Sequence, residues 1–387
     1  MNNMKNKVTK IIKMLLGAVL GALTGYIGVE LIMGLIGGDS PEPSAGKEEI
    51  DIGLMMLSIA LALVSLVVAV VLHIILHEAG HLICGLLTGF RFVSFRIFKF
   101  TLVKEDGRLR WKRYHIAGTG GQCIMELPAD QTPERMPWFW YNAGGVVMNL
   151  LVMATSILLL RAFDTGIVML SFLLMMAFVG LAIALINGIP MPIGGINNDG
   201  RNLVQLWQHP EQRRYFLHSL QIVGQMSRGV RMKDMPVNWT ENLPLQNPGN
   251  VLELMNRSAY MARLEDEGQI EAALAVGEEM LSFGKKLPSI FQMEVGGEVV
   301  MLLLMTGGDR NRVDELWTKQ LERYVKAGSK YAPMKCAVLY TYEQLYRNDA
   351  EAANAYKTQL EQHQNDYTMP GEAKTALYLV TLISSRG

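Results

Sequence analysis

Two histidines and a glutamate stand close together in the HEAGH sequence at 77–81. Residues four apart lie on one face of an α-helix, so the imidazoles of His77 and His81 can bind one metal ion. Glu78 directly follows the first histidine and can accept a proton from a water molecule on that ion. The pattern predicts a zinc site that activates water for hydrolysis at neutral pH, with Glu78 as the catalytic base.

The HEAGH sequence occupies the last third of a long apolar segment, residues 54–88. Further long apolar segments occur at 11–37, 143–160 and 166–187, whereas the chain after about residue 205 has the mixed polarity of a water-soluble protein. Segments of this length match the thickness of a bilayer. Ionisable side chains inside a bilayer helix cost about 2.5–3.5 kcal/mol each. A bound metal is the simplest compensation for three of them.

A catalytic zinc ion needs a third protein ligand and an open coordination position. The fourth apolar segment ends in NGIPMP, and the sequence IGGINNDG follows it. Prolines end the helix, glycines permit tight turns, and irregular backbone at membrane depth is tolerated where it lines a protein cavity. We therefore predict Asp199 as the third ligand, an ordinary Asp-Gly turn being the alternative. His73, one turn before His77, is either packed or lines a water path, and no role is assigned to it.

Charged residues predict the orientation in the membrane. Four lysines, at positions 5, 7, 10 and 13, lie before or at the start of the first apolar segment, and the loop between the first two segments is mainly acidic. Eight basic residues follow the second segment: Arg91, Arg96, Lys99, Lys104, Arg108, Arg110, Lys112 and Arg113. Because Lys and Arg concentrate in cytoplasmic loops, we predict a multi-pass protein of the cell membrane with both termini in the cytoplasm. The first apolar segment is too long for a secretory signal and lacks an A-x-A site, so we expect it to be retained.

Composition narrows the class of protein further. The formal net charge of the 387 residues is zero, which gives no case for binding nucleic acid. The three cysteines, Cys84, Cys123 and Cys336, are far apart and form no CxxC pair. They predict reduced thiols with packing roles rather than disulfides or a thiolate zinc site.

Taken together, these residues resemble the site-2 protease family of intramembrane zinc proteases. Three motifs carry the resemblance, which covers about residues 54–205: HExxH at 77–81, Gly-x-x-x-Asn at 145–149, and Asn187-x-x-Pro190 followed by Asp199-Gly200. A softer similarity lies between the first two core spans. Residues 90–104 alternate in polarity, Asp106-Gly107 predicts a hairpin turn, and the returning strand leads to a Gly-Gly pair, as in the membrane-associated β element of that family.

The resemblance implies roles for residues outside the HEAGH sequence. It implies that Asp199 completes the zinc site, and that Asn149 and Asn187 orient the peptide or stabilise the oxyanion. It further implies that the β element presents substrate to the metal as an added strand. A polar helix–helix contact is the alternative for Asn149, and a structural cap at the helix end is the alternative for Asn187. The loop before Asp199 is longer than in the simplest family pattern, and Asn198 stands where that pattern has leucine.

Three similar stretches recur at a spacing of 40 residues in the C-terminal region, starting at Glu267, Gly307 and Arg347. Each is predicted to form a short turn between two helices, which resembles a tetratricopeptide-like α-solenoid. Such arrays bind peptides or protein partners, and a purely structural cap on the protease is the alternative. We predict four regions: an N-terminal transmembrane helix and external linker (1–53), the metalloprotease core (54–205, with the β element at 89–125), a helix and linker (206–249) and the repeat domain (250–387).

The predicted fold class is mostly α, a bundle of four transmembrane helices with a small β element, followed by a soluble helical repeat domain. The predicted function is a zinc endopeptidase that cleaves transmembrane or membrane-associated peptides near the cytoplasmic face, by Glu78-assisted attack of a zinc-bound water. Its predicted partners are that substrate, the lipid bilayer and possible proteins on the repeats, with no nucleic acid. The alternative is a non-proteolytic membrane scaffold with a residual zinc site, against which the intact Glu78 argues. A soluble zinc protease with a membrane anchor is excluded because the motif lies within a span.

Overall fold

The computed structural model describes residues 52–105, 107–113, 120–193 and 195–385. The predicted first span, residues 11–37, lies outside this part of the chain. Within the described residues the protein is mostly α-helical, with a four-stranded and a two-stranded antiparallel sheet. This confirms the predicted mostly α fold class with a small β element.

Three described helices are long and apolar enough to cross a membrane. Helix α1 spans Ile52–Leu87, α2 spans Trp138–Ala162 and α3 spans Ile167–Gly188, and all three fall on predicted apolar segments. Large apolar side chains on α1, such as Leu63 and Val67, are more than half exposed. That surface would be unfavourable in water and suits contact with lipid, so the helices support a membrane location.

Residues 52–80 and 145–188 form one compact unit in the described chain. Its apolar core includes Ala69, Met176 and Val179, with partly buried leucine and phenylalanine side chains around them. Gly180 permits a close approach, because a Cβ atom there would lie only 2.7 Å from Cε1 of His73. The buried imidazole of His73 thus occupies space that a larger residue at position 180 would fill.

Residues 81–144 and 189–385 form a second compact unit, which contains the sheets. The strands β1 Arg91–Ile97, β2 Phe100–Glu105, β3 Arg108–Arg113 and β4 Gly121–Glu126 pair in the order β3-β2-β1-β4, all antiparallel. Gly107, in the predicted hairpin turn, has φ +76°, a conformation that glycine adopts readily. The β element is therefore a meander of three strands with β4 added at the far side of β1, which leaves β3 and β4 at the edges.

Helices make up most of the remainder of the second unit. They are α4 Asp199–Gln208, α5 Arg213–Ser227, α6 Val251–Asp266, α7 Ile270–Ser282, α8 Ser289–Met305, α9 Arg310–Leu316, α10 Lys319–Gly328, α11 Pro333–Thr341, α12 Ala350–His363 and α13 Pro370–Ser384. The strands β5 Pro192–Ile193 and β6 Ile196–Asn197 precede α4. A π-helical segment, Tyr342–Arg347, continues α11.

Polar side chains define where several of these helices begin. The side chains of Asn250, Asp309 and Asp349 each accept a hydrogen bond from a backbone N–H in the first turn of the helix that follows. Such caps satisfy N–H groups that have no partner within the helix. Proline occupies the first turn of α11 and α13, where its missing N–H has no cost.

The three turns at the predicted 40-residue spacing share one backbone feature. Gly268, Gly307 and Asn348 each have positive φ, between 55° and 76°, just after a helix ends. The N–H groups of Gln269 and Gly308 return to carbonyl oxygens five residues earlier, which closes a Schellman turn at each of those two sites. The chain therefore reverses at these three points between paired helices.

Side-chain contacts join the sheet to the C-terminal helices within the second unit. The guanidinium of Arg228, after α5, donates to both carboxylate oxygens of Glu126 on β4, at 2.6 and 2.7 Å. The ammonium of Lys112 on β3 donates to the carbonyl oxygen of Asn365 at 2.6 Å. Both edge strands of the sheet are thus held by segments that follow it in sequence.

The interior of the helical region contains acidic side chains. Glu265, at the end of α6, has 0% exposure, and neither carboxylate oxygen has a hydrogen-bond partner. Burial, with the neighbouring charges of Glu372 and Asp266, raises its pKa to about 8. Burial also raises the pKa of Glu372 to about 7, and that of Glu298 well above its usual range. The neighbouring Asp266 differs, because it accepts hydrogen bonds from Arg231 and Thr375.

Glu265→Gln is expected to stabilise the protein at pH 8 and to have little effect at pH 5. A carboxyl group with a raised pKa in the folded state favours folding while it is protonated. Its contribution is fully present below the unfolded pKa, near 4.5, and is lost as pH rises toward about 8. The wild type should therefore lose stability over this window, whereas the amide does not ionise.

Thermal unfolding of the full-length protein in detergent at several pH values measures this effect. Each kcal/mol of stabilisation should raise Tm by about 2–4 °C. The control is Glu361→Gln, which changes an exposed glutamate on α12 and should leave the pH dependence unaltered. A Glu265→Gln protein less stable than wild type at pH 8 would show that the carboxylate has a stabilising partner.

Candidate metal centre

The two histidines of the HEAGH sequence lie on helix α1, which runs without interruption from Ile52 to Leu87. Their side chains are buried, with residue exposures of 7% for His77 and 8% for His81. The boundary between the two units falls between these histidines, after Gly80. The helix is nevertheless continuous, so its backbone places the two imidazoles one turn apart on one face. The local geometry predicted for the pair is therefore present.

The ring of His81 is oriented by a backbone carbonyl group. Its Nδ1 lies 2.7 Å from the carbonyl oxygen of Tyr141 at the start of α2. Because a carbonyl oxygen only accepts, Nδ1 carries the hydrogen, and a neutral ring presents its lone pair at Nε2. Tyr141 is itself held by a hydrogen bond from its hydroxyl to Cys123 O, at 3.0 Å, and by stacking on Phe90 at 4.6 Å.

Asp199 is presented by the short loop that follows α3. It is the first residue of α4, and Asn198 caps that helix by accepting a hydrogen bond from the N–H of Arg201 at 2.9 Å. The Asn198 side chain also accepts from the N–H of Met191 and donates to Ile189 O, at 3.1 and 2.6 Å. Asn198 thus ties the two ends of the loop together and sets the position of the following carboxylate.

Two of the predicted ligands come together within the second unit, where Nε2 of His81 lies 3.4 Å from Oδ2 of Asp199. The third, His77, precedes His81 by one turn of the same helix. Two ligands of a tetrahedral zinc ion, each bound at about 2.0–2.1 Å, are about 3.3 Å apart. An imidazole lone pair that faces a carboxylate oxygen is also an arrangement that a cation stabilises. The donor set therefore fits zinc.

His77 also has a polar contact within the first unit. The side-chain amide of Asn149, on α2, lies 3.1 Å from Nδ1 of His77 and 3.2 Å from Nδ1 of His73. The other ring nitrogen of His73, Nε2, lies 2.8 Å from the carbonyl oxygen of Met176 on α3. Asn149 and His73 each have 0% exposure. The Asn149 side chain thus bridges two imidazoles of α1.

The other two predicted site residues have different surroundings. Glu78 is partly exposed, whereas the preceding His77 is buried. This is expected because successive side chains of an α-helix point in directions about 100° apart. Asn187 is partly buried near the end of α3, and its amide donates to the carbonyl oxygen of Ile183 in the same helix at 3.0 Å.

Three residues position side chains at the candidate metal centre, although the sequence had not predicted this role for them. Tyr141 orients His81, Asn198 positions Asp199, and His73 contacts Asn149. Of these, His73 had a sequence signal in its position one turn before His77 on the same helical face, and Asn198 was noted only because it stands where the family pattern has leucine. Tyr141 acts through its backbone carbonyl, which any residue type supplies, so residue identity could not indicate it.

Three described helices are long and apolar enough to cross a membrane, and His77, His81 and Asp199 are residues of the kinds that can hold a metal ion. Residues 52–227 match the Peptidase M50B-like family. This match supports the predicted resemblance of this part of the chain to the site-2 protease family. No curated protein and no solved structure matches the chain.

Proposed function

We propose that the protein is an intramembrane zinc endopeptidase that cleaves transmembrane or membrane-associated peptides near the cytoplasmic face of the cell membrane. One observation carries this proposal: Nε2 of His81 lies 3.4 Å from Oδ2 of Asp199. His81 is on the same helix as His77 and Glu78. The match of residues 52–227 to the Peptidase M50B-like family supports the reaction class.

His77, His81 and Asp199 would hold the metal. Zinc bound there would supply Lewis-acid activation of a water molecule and of the scissile carbonyl group. Glu78 would accept the proton of the attacking water and pass it to the leaving amine. Tyr141 holds His81 in the orientation that directs Nε2 at Asp199. Asn187, partly buried near the end of α3, is proposed to orient the peptide or its oxyanion.

The β element is proposed to receive the substrate as an added strand. A peptide can extend a sheet only at an edge, and β3 and β4 are the edges of the four-stranded sheet. Through the Tyr141 hydroxyl, β4 is hydrogen-bonded to the residue whose carbonyl orients His81. We therefore favour β4 as the edge that accepts substrate. A helical substrate must unwind first, because its carbonyl groups are hydrogen-bonded within the helix.

Orientation and partners complete the proposal. The basic residues of the loop after α1 favour the cytoplasm, which would place both chain termini there. The C-terminal helices are proposed to form a tetratricopeptide-like array that recruits protein partners. Paired helices joined by turns with positive φ at Gly268, Gly307 and Asn348 support this view. The competing function is a scaffold that binds zinc but does not cleave.

Removal of the metal is expected to abolish cleavage reversibly. Purified full-length protein in detergent should contain about one zinc ion per chain, since the described residues provide one cluster of suitable ligands. Dialysis against 1,10-phenanthroline should remove both the zinc and the cleavage of a reporter peptide with a transmembrane helix. Added zinc should restore both. Metal analysis by mass spectrometry and cleavage on gels provide the readouts, and cleavage by metal-free protein would refute the proposal.

A further inference from the structure

A continuous row of polar groups in the first unit leads to the metal ligand His77. It consists of the carbonyl oxygen of Met176, the ring of His73, the amide of Asn149 and the ring of His77. The direction of each hydrogen bond decides which nitrogen of His77 carries a hydrogen. It therefore decides whether the lone pair of His77 is available on Nε2 or on Nδ1.

The carbonyl group at one end sets the direction. Met176 O can only accept, so Nε2 of His73 donates to it across 2.8 Å. A neutral imidazole with hydrogen on Nε2 has its lone pair on Nδ1. That lone pair faces the side-chain amide of Asn149 at 3.2 Å and needs a donor there.

An asparagine amide has two orientations related by a half-turn about its Cβ–Cγ bond. With Oδ1 toward His73 and Nδ2 toward His77, His73 must donate from both ring nitrogens and carry a positive charge at a site with 0% exposure. Burial of that charge is costly. In this orientation Nδ1 of His77 also accepts, so its hydrogen is on Nε2, where it would prevent that nitrogen from binding a metal.

The other orientation satisfies all four groups with neutral rings. The amide NH₂ of Asn149 donates to Nδ1 of His73, and Oδ1 accepts the hydrogen on Nδ1 of His77. The hydrogen of His77 is then on Nδ1 and its lone pair is on Nε2, the nitrogen that would bind a metal ion. His81 has the same arrangement, because its Nδ1 donates to the carbonyl of Tyr141. Both histidines are thus prepared as neutral ligands that bind through Nε2.

We propose that His73 is a positioning residue for the metal centre: it sets the orientation of the Asn149 amide, which directs the Nε2 lone pair of His77 at the zinc ion. This inference rests on the proposed zinc function and deepens it. It gives Asn149 a role through His77 rather than at the substrate. The space left by Gly180 allows the His73 ring to reach Met176 O.

His73→Leu is expected to lower the zinc affinity of the full-length protein in detergent by about 10- to 100-fold, the range typical for the loss of a residue that orients a metal ligand. Without His73, the Asn149 amide can turn its nitrogen to His77. The double variant H73L/N149D should recover most of the affinity. A carboxylate can only accept, so it directs the His77 hydrogen to Nδ1 without help from His73. Asn149→Leu should weaken binding as His73→Leu does.

Competition with a chelating dye gives the zinc dissociation constants, and the absorption spectrum of the cobalt-loaded protein reports the ligand geometry. His209→Leu, which removes an exposed imidazole outside this row, is the control for loss of a histidine and should bind zinc like wild type. Size-exclusion profiles and Tm values show which variants are folded.

Two results would overturn the positioning role while the protease proposal stands: wild-type affinity in a folded His73→Leu protein, or no recovery in H73L/N149D. The second result would show that His73 acts by packing. A wild-type protein that binds no zinc would instead overturn the proposed function and the positioning role together.

Discussion

Glu78→Gln is expected to reduce peptide-bond cleavage by about 10²- to 10⁴-fold, the range that general bases contribute, while zinc binding remains at the wild-type level. The amide keeps the size of the glutamate side chain but cannot accept the proton of the attacking water. The proposed ligands His77, His81 and Asp199 are untouched. Cleavage of the reporter peptide and zinc content per chain, measured on one preparation, separate the two effects.

This variant distinguishes the protease from the scaffold. Glu134→Gln is the control, because it makes the same change at an exposed position in the short helical turn Pro133–Arg135. It should leave cleavage and zinc content unchanged. If the Glu78→Gln protein cleaves as fast as wild type, another group is the base. If no folded preparation of the wild type cleaves a transmembrane substrate, the scaffold function is the better account.

Asp199→Asn is expected to lower zinc affinity by more than the ~10- to 100-fold typical of a residue that only orients a ligand, and to abolish cleavage. An amide oxygen is a weaker and uncharged ligand, so the site loses the anion that lies 3.4 Å from His81 Nε2. The Asn198 cap remains, which should preserve the start of α4. Dissociation constants from dye competition, beside cleavage rates, measure the result.

The matched control for Asp199→Asn is Asp130→Asn, at an exposed position of the second unit. Wild-type zinc affinity is expected for it. An Asp199→Asn protein that binds zinc as tightly as wild type would exclude Asp199 as a ligand and would reopen the search for the third donor. Loss of affinity together with a lowered Tm in the absence of metal would indicate damage to the loop instead.

Secondary structure that follows from local hydrophobic patterns was predictable from the sequence. The apolar segments at 54–88, 143–160 and 166–187 each correspond to a described helix, with ends that differ by a few residues. The alternation of polarity and the Asp-Gly turn predicted the hairpin of β2 and β3, although not its place in a four-stranded sheet. Strand order depends on pairing between β1 and β4, which are separated by some twenty residues. No local sequence pattern indicates that these two strands pair.

In the C-terminal region, too, some features were predictable from the sequence and others were not. The recurring stretches predicted where the chain turns, because a turn requires particular residues at particular positions, such as Gly268 and Gly307. The unsatisfied carboxylate of Glu265 was not predictable. Two further acidic residues, Asp266 and Glu267, follow it on the chain, and only the packing of α6 against other helices removes it from water.

The sequence by itself determined that His77, Glu78 and His81 share one turn of an apolar helix, since helical periodicity fixes the relation of residues four apart. Tertiary structure decided how those side chains are oriented. The carboxylate of Asp199 reaches His81 from a loop far along the chain, Tyr141 directs one imidazole, and Asn149 with His73 directs the other. These contacts join segments separated by 60 residues or more, so they arise only when the helices pack.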